Sequence, residues 1–275
     1  LRLFINILFI LNMVCPSIVF GQTYFNMRYP PDPGTWGRGS FSVVPTNTKY
    51  FISSWSVGNL DGRYHQKVGT INLDGTANQN TDSLHYSDKD IFVRGLKKTL
   101  DGSLYQVFTI AHYNPIYNQY GILKYDTNGV LLFQNIDTTK YDFINILDII
   151  WLPNNIFMSI GTVRTAIGSN RGPQKLILIK SDSLGNEIWK RTYQYNSFEH
   201  NGQCIALCKD GGYIIGGAEV DYTKFPIYER PLVMKVDSTG KMLWRKTYGS
   251  YDFGNTPVYG ITQTQDGGYA FVGAV

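Results

Sequence analysis

The residue types best suited to ligand contact fall in four stretches of the chain, where tyrosine, histidine and arginine lie a few positions apart. Flat aromatic rings stack on sugars and on other flat apolar groups. These stretches therefore form a candidate ligand face for a glycan, a peptide or a protein; alternatively, the same rings fill gaps between structural repeats. The candidate residues are Tyr64, His65, His112, Tyr113, Tyr117, Tyr120, Arg164, Arg171, Tyr222, Tyr228 and Arg230.

A second pattern pairs an aromatic residue with an acid at regular intervals, at Tyr141-Asp142, Phe198-Glu199 and Tyr251-Asp252. A ring of such carboxylates would attract a cation or a basic partner. A feature that recurs once per repeat also fits a role in the repeat itself, such as a hydrogen bond within a loop. Both interpretations are open from the sequence.

Catalytic signatures are lacking, so no catalytic, cofactor-binding or metal-ligating residue is assigned. The four histidines include no His-Glu-x-x-His pair, and the Gly-x-Ser-x-Gly, P-loop and Gly-x-Gly-x-x-Gly patterns do not occur. The net charge of +4 comes without a long basic run, which argues against a nucleic-acid partner. A fragment of an extracellular enzyme whose site is assembled from distant residues, such as a polysaccharide hydrolase or lyase, is the alternative.

These candidate residues are positioned by an internal repeat of about 55 residues. The phrase Asp210-Gly211-Gly212-Tyr213 returns 56 residues later at 266–269, and the Trp189 phrase returns 55 residues later at Trp244. Weaker copies of both turns lie in the first half of the chain. The residues that carry the repeat are Asp101, Asp126, Asp182, Trp189, Asp210, Asp237, Trp244 and Asp266.

Each repeat contains four strand-like runs joined by Asp/Asn-Gly turns, which are strong hairpin signals. The third run is continuously apolar at 176–179, as expected of a strand buried on both faces. The fourth run mixes Trp189 with Lys190 and Arg191, as expected of an outer edge strand protected by charge. The pattern predicts an all-β fold, a β-propeller of four-stranded antiparallel blades with about 55 residues per blade, incomplete in this chain.

The phrases at 210–213 and 235–248 resemble a family of secreted bacterial propeller-repeat proteins. Asp237-Ser238-Thr239-Gly240-Lys241-Met242-Leu243-Trp244 is similar to the tryptophan-docking repeats of quinoprotein-like propellers. The resemblance implies a seven- or eight-bladed style of fold, export, and often a type IX secretion signal. It implies no activity, and neither a quinone pocket nor calcium ligands can be mapped onto this chain.

Residues 1–21 read as a secretory signal peptide, with Arg2 before an apolar stretch and a cut ahead of Gln22. A transmembrane anchor is the rival, but the uninterrupted apolar stretch is short for one. We expect a closing strand in 22–39 and repeat units at 40–90, 91–143, 144–200, 201–256 and, in part, 257–275.

Cys204 and Cys208 lie four positions apart, about 13 Å along a strand, which is too far for a disulfide. We expect both to be buried apolar residues. Taken together, the sequence predicts a secreted or cell-surface binding or scaffold module, with no cofactor and no membrane span after cleavage.

Overall fold

The structure is a computed structural model that describes residues 35–46, 49–58, 64–72, 76–78, 83–84, 89–113, 115–164, 172–222, 228–249 and 257–273. The signal peptide predicted at 1–21 lies outside these residues, as does most of the closing strand predicted within 22–39. None of the described segments forms a helix long and apolar enough to cross a membrane.

The described chain is built from consecutive antiparallel sheets, which we call blades 1 to 5. Blade 1 contains β1 (Thr35–Pro45), β2 (Lys49–Gly58), β3 (Tyr64–Asn72), β4 (Ala77–Asn78) and β5 (Ser83–Leu84). Blade 2 contains β6 (Lys89–Lys98), β7 (Leu104–Tyr113), β8 (Ile116–Tyr125) and β9 (Leu131–Ile136). Blade 3 contains β10 (Phe143–Leu152), β11 (Ile156–Arg164), β12 (Lys175–Ser181) and β13 (Glu187–Tyr193). Blade 4 contains β14 (Glu199–Leu207), β15 (Tyr213–Asp221), β16 (Tyr228–Val236) and β17 (Met242–Thr247). Blade 5 contains β18 (Val258–Gln263) and β19 (Tyr269–Gly273).

Blades 2, 3 and 4 share one topology, four strands paired in chain order. The first strand of each blade contacts the first strand of the next, so these strands form the inner layer and β9, β13 and β17 the outer edge. This arrangement confirms the predicted all-β architecture of propeller blades. Blade 1 differs, because two short strands, β4 and β5, both pair with β3.

The core lies between blades, and each neighbouring pair shares an apolar cluster. The third strand of blade 3 shows why its sequence is continuously apolar. Ile177 and Ile179 pack toward blade 2, whereas Leu176 and Leu178 pack toward blade 4, and all are buried. Each such side chain contributes about 1.5–3 kcal/mol when fully buried. The predicted burial on both faces is therefore confirmed.

The meander gives every blade two chemically different ends. The connections from first to second and from third to fourth strand lie at one end, which we call the turn end. The connections from second to third strand and between blades lie at the other, the loop end. The loop-end connections differ in length and sequence from blade to blade. Binding residues usually lie on such variable loops.

Candidate functional site

At the turn end, the aspartates of the third-to-fourth turns in blades 2, 3 and 4 accept hydrogen bonds from their own turns. The Oδ1 atom of Asp126 accepts from the amides of Asn128 and Val130, at 2.7 and 2.8 Å. Asp182 accepts from the amides two and four positions on, both at 2.9 Å, and Asp237 does the same. This is an Asx-type turn that fixes the hairpin.

The aspartates of the first-to-second turn are used in the same way. Asp210 Oδ1 accepts from the amide of Gly212 at 2.9 Å, and Asp266 Oδ1 accepts from that of Gly268 at 3.1 Å. Hydrogen bonds from the Thr99 hydroxyl and the Ser103 amide lower the pKa of Asp101. The turn-end carboxylates are thus ionised and already bound by their own backbone.

The two repeat tryptophans lie between blades. Trp189 packs against the apolar cluster between blades 3 and 4, and a Cβ on Gly240 of blade 4 would lie 2.9 Å from its ring. Trp244 packs edge-on against Tyr269 of blade 5, with ring centroids 5.7 Å apart. Phe133 lies at the equivalent position of blade 2, opposite Lys124.

At the loop end of blade 2, His112 and Tyr117 form a stacked pair with ring centroids 3.9 Å apart. The ammonium of Lys140 lies 4.9 Å from the Tyr117 ring centroid, and His112 Nε2 contacts Gln119 at 3.0 Å. Tyr113 is half exposed and donates its hydroxyl to Asp90. Tyr120 is buried, and burial is the main cause of its raised pKa. This residue therefore belongs to the core rather than to a ligand surface.

Arg164 and Tyr222 lie where blades 3 and 4 meet at the loop end. The Arg164 guanidinium contacts Asp142 at 3.4 Å and Glu199 at 3.8 Å, so it links the acids of two of the predicted aromatic–acid pairs. Tyr222 follows β15 and is half exposed. Arg164 Nε, Glu199 Oε2 and Asn201 Oδ1 are buried without a hydrogen-bond partner among the described residues.

The remaining candidates are spread over the chain. Tyr64 and His65 begin β3, and Tyr228 begins β16. Arg171 lies outside the described residues, as do Tyr251 and Asp252. Among the described side chains of the predicted ligand face, His112 and Tyr117 contact each other, and the face as a whole stays a prediction. The structure brings another of those residues, Arg230, into a charged cluster that the sequence did not predict.

That cluster is centred on Glu219 in β15, which is almost completely buried. Its carboxylate contacts His200 Nε2 at 3.2 Å and accepts hydrogen bonds from the guanidinium groups of Arg230 and of Arg245, the latter at 2.6 Å. His200 is buried as well, and its Nδ1 atom lies 3.1 Å from the Phe198 carbonyl oxygen. We call these four side chains the Glu219 network.

The network holds Glu219 as a carboxylate. Burial opposes its ionisation, but the hydrogen bonds from His200, Arg245 and Arg230 outweigh burial and lower the pKa of Glu219 to about 2. Arg245 is held on its other side by Tyr195, whose ring centroid lies 3.7 Å from the guanidinium carbon. Both arginine side chains remain about one-fifth exposed.

Strand pairing shows that the network interrupts the repeat. In blade 4, three neighbouring strands place His200, Glu219 and Arg230 side by side. In blade 3, the residues at the equivalent positions are Ile144, Val163 and Lys175. Blade 2 pairs Ile91, Ile110 and Gln119 at the same place. Aligning the repeats on their turns already places an acid among apolar residues at position 219, and this is the signal in the sequence that would have found the site.

A small groove lies over the network between the outer strands of blades 3 and 4. We call it the rim groove, and its cavity volume is about 140 Å³. Its apolar lining comes from Leu176, Leu232, Met234 and Met242, with Tyr193 and Tyr195 beside them. Its polar end is formed by His200 and Arg245.

Among the described residues, no group of three or more His, Cys, Asp or Glu side chains is arranged to hold a metal ion. Cys204 and Cys208 are free thiols and both are buried, as predicted. Burial raises the pKa of Cys204 to about 12, so its thiol is a poor nucleophile.

No protein-family profile matches the chain, and no curated protein matches it. Among solved structures, the chain is similar to the β-propeller domain of the Trilobed protease from Pyrococcus furiosus, described as having an open velcro topology. The identity is 8%, the match covers 78% of this chain and 96% of the other, and the TM-score is 0.18.

Proposed function

We propose that the protein is an exported, non-catalytic binding or scaffold module that contacts a glycan, a peptide or a protein through the loop end of its blades. The observation that carries this proposal is the difference between the two ends. Turn-end carboxylates are bound by their own backbone amides. At the loop end, the aromatic rings of Tyr113 and Tyr222 are each half exposed, whereas the exposed turn-end side chains Leu100 and Leu184 are aliphatic.

A pair of double variants tests which end binds. Ile116→Ser with Tyr222→Ser removes two exposed loop-end side chains, whereas Leu100→Ser with Leu184→Ser removes two exposed apolar side chains at the turn end. All four side chains are exposed, and the largest single loss is the hydrogen bond between Tyr222 and Glu199, so each pair of changes should alter stability by less than about 2 kcal/mol.

Ligands are first identified on a glycan array and by capture of extracellular peptides and proteins, and affinities are then measured by calorimetry. We expect the loop-end pair to weaken binding about tenfold, the loss expected of a well-packed contact residue. The turn-end pair should stay within about twofold. Equal losses from both pairs, or turnover of a polymer by the parent protein, would contradict the proposal.

Export is tested separately in cells that express the full chain. We expect the mature protein to begin at Gln22 and to be recovered outside the cytoplasm, because residues 1–21 have the pattern of a signal peptide. Mass spectrometry of the recovered protein identifies its first residue. An uncut chain retained in the cytoplasm would rule export out.

A further inference from the structure

The Glu219 network is not required by the architecture of a blade. Blades 2 and 3 fill the equivalent inner positions with Ile91 and Ile110, and with Ile144 and Val163, all of them buried. Replacing buried ion pairs by apolar residues of similar volume is often neutral or stabilising. Packing between neighbouring blades therefore does not require the charges of blade 4, which indicates a role in binding.

Arg245 is the member of the network best placed to meet a ligand. Its Nη1 atom binds Glu219, its guanidinium is stacked on Tyr195, and it lines the rim groove. A guanidinium has five N–H donors, and the bond to Glu219 leaves most of that capacity. Held on two sides and partly exposed, Arg245 is a preorganised donor for an anion.

The outer strands that border the groove direct two arginines into the interface between blades 3 and 4. Arg191 lies beside Trp189 and Gly240, and Arg245 lines the groove itself, whereas Lys190 turns toward Tyr141 on the blade 2 side and Lys246 toward blade 5. None of the described residues that line the groove is acidic. Surfaces of one sign attract partners of the opposite sign and set their orientation. The charge of the rim thus favours an acidic partner.

The apolar lining narrows the class of that partner. Met242 is 42% exposed and offers an aliphatic surface above the buried side chains of Leu176, Leu232 and Met234, and methionine adapts its shape to what it contacts. A volume of about 140 Å³ is below the range of small-molecule pockets, roughly 300–1,000 Å³, and suits one side chain. Sugars offer no aliphatic side chain, whereas a peptide does.

We propose that the rim groove between blades 3 and 4 binds an acidic peptide segment, with an aliphatic side chain on the apolar lining and a neighbouring carboxylate on Arg245. This inference rests on the proposed binding function and specifies a ligand class for it. The carboxylate accepts hydrogen bonds from the guanidinium, and no covalent change takes place.

The test uses blocked tetrapeptides titrated into the isotopically labelled full chain and followed by NMR chemical shifts. The probes are Ac-Gly-Leu-Asp-Gly-NH₂ and Ac-Gly-Asp-Leu-Gly-NH₂, with matched peptides that carry Asn for Asp or Ala for Leu. We expect one acidic probe to bind with a Kd of about 1 mM, consistent with one anchored side chain. Its Asn and Ala counterparts should bind at least about fivefold more weakly, since each lacks one of the two contacts.

Variants locate the binding. Arg245→Gln should weaken the acidic probe about tenfold, the loss expected of a hydrogen bond to a charged group. Lys246→Gln removes the same charge from the next residue of β17, whose side chain points to the opposite face, and should change the Kd by less than about twofold. Met242→Ser is a second variant that reduces the apolar lining without touching the Glu219 network.

Each result decides the question. Shift changes at Tyr195 and Arg245 that weaken with the Asn peptide, and a shift change at Tyr195 that weakens in Arg245→Gln, support the proposal. Equal affinity for Asp and Asn peptides, equal losses from Arg245→Gln and Lys246→Gln, or no shift at about 10 mM peptide would overturn it. In those cases the loop-end variants still report independently on whether the protein is a binding module.

Discussion

The two ends of the blades follow different rules. At the turn end, Asp126, Asp182 and Asp237 form the same hydrogen bonds in three successive blades. At the loop end, the same three blades have Ile110, Val163 and Glu219 at one equivalent position. The turn end is therefore specified by the repeat, whereas the loop end is free to vary as long as the interface stays filled. Specific chemistry is to be sought where the repeat is broken.

The largest effect is expected from removing the charge at the centre of the Glu219 network. Glu219→Gln keeps the shape of the side chain but leaves the guanidinium groups of Arg230 and Arg245 without their buried carboxylate. Breaking a buried ion pair on one side typically costs about 3–5 kcal/mol, and we expect urea unfolding to show a loss in that range.

Glu187→Gln is the matched control, because Glu187 forms a surface ion pair with Lys190. Surface pairs are worth about 0–1 kcal/mol, so this variant should be close to the parent protein. Equal unfolding free energies for Glu219→Gln and Glu187→Gln would mean that the network holds no buried charge.

The pH dependence of the unfolding free energy should distinguish Glu219 from the turn-end aspartates. The pKa of Glu219 is lowered from 4.5 to about 2, so its ionisation stabilises the fold fully above about pH 4.5, and this contribution is lost as the pH falls toward 2. The shift corresponds to about 3 kcal/mol.

The measurement is the free energy of unfolding at several pH values. The difference between parent and Glu219→Gln should shrink by about 3 kcal/mol between pH 5 and pH 2, because protonated Glu219 has lost the same charge. The turn-end aspartates titrate in both proteins and cancel from this difference. A difference that stays constant down to pH 2 would contradict the lowered pKa.

At the turn end, two glycines have similar backbone angles, but only one of them has a neighbouring side chain where a Cβ atom would lie. Gly211 has a φ of 78° and open space where a Cβ would lie, whereas Gly240 has a φ of 82° and the Trp189 ring 2.9 Å from that position. Gly211→Ala should cost about 1 kcal/mol from backbone strain alone. Gly240→Ala should cost about 2 kcal/mol or more, since the Trp189 ring must also move.

Thermal or urea unfolding of the two variants measures the difference. An equal loss in both would show that Trp189 yields without cost and that the contact between blades 3 and 4 is loose at this end. A larger loss for Gly211→Ala than for Gly240→Ala would contradict the steric cost assigned to the Trp189 ring.

The fold was largely predictable from the sequence, because its signals are local. The structure of a few neighbouring residues is determined by turn residues such as Asp210 and Asp237 and by the apolar run at 176–179. These signals recur with the 55-residue period, so they also predict the blades. The expectation of charged outer strands also fits Arg191 and Lys246, which are exposed. Arg245 departs from it, because its side chain turns inward to Glu219.

Aligning the repeats marks Glu219 as an acid among apolar residues, but its partners could not be predicted, because they depend on registers that the sequence does not display. Tyr195 and Arg245 lie 50 positions apart, and a β-bulge between Gly202 and Cys204 shifts β14 against β15. A one-residue slip would turn every side chain of a strand to the other face. Residues such as His112 and Tyr117 were chosen by type, and the structure stacks them on each other.

A variant that gives blade 4 the residues of blade 3 should change stability least. It also tests most directly whether the charges of blade 4 serve binding or folding. The variant His200→Ile, Glu219→Val, Arg230→Lys and Arg245→Lys installs the residues found at the equivalent positions Ile144, Val163, Lys175 and Lys190. Because the whole network is replaced rather than broken, stability should stay within about 1 kcal/mol of the parent protein.

Binding of the acidic tetrapeptide should nevertheless be lost in this variant, since a lysine lacks the fork geometry and the stacking of Arg245 on Tyr195. Urea unfolding and peptide titration on the same sample separate the two effects. Retained stability with lost binding assigns the charges to recognition. A variant as unstable as Glu219→Gln would show instead that blade 4 depends on its charges to fold, and the break in the repeat would then be a matter of packing between two blades.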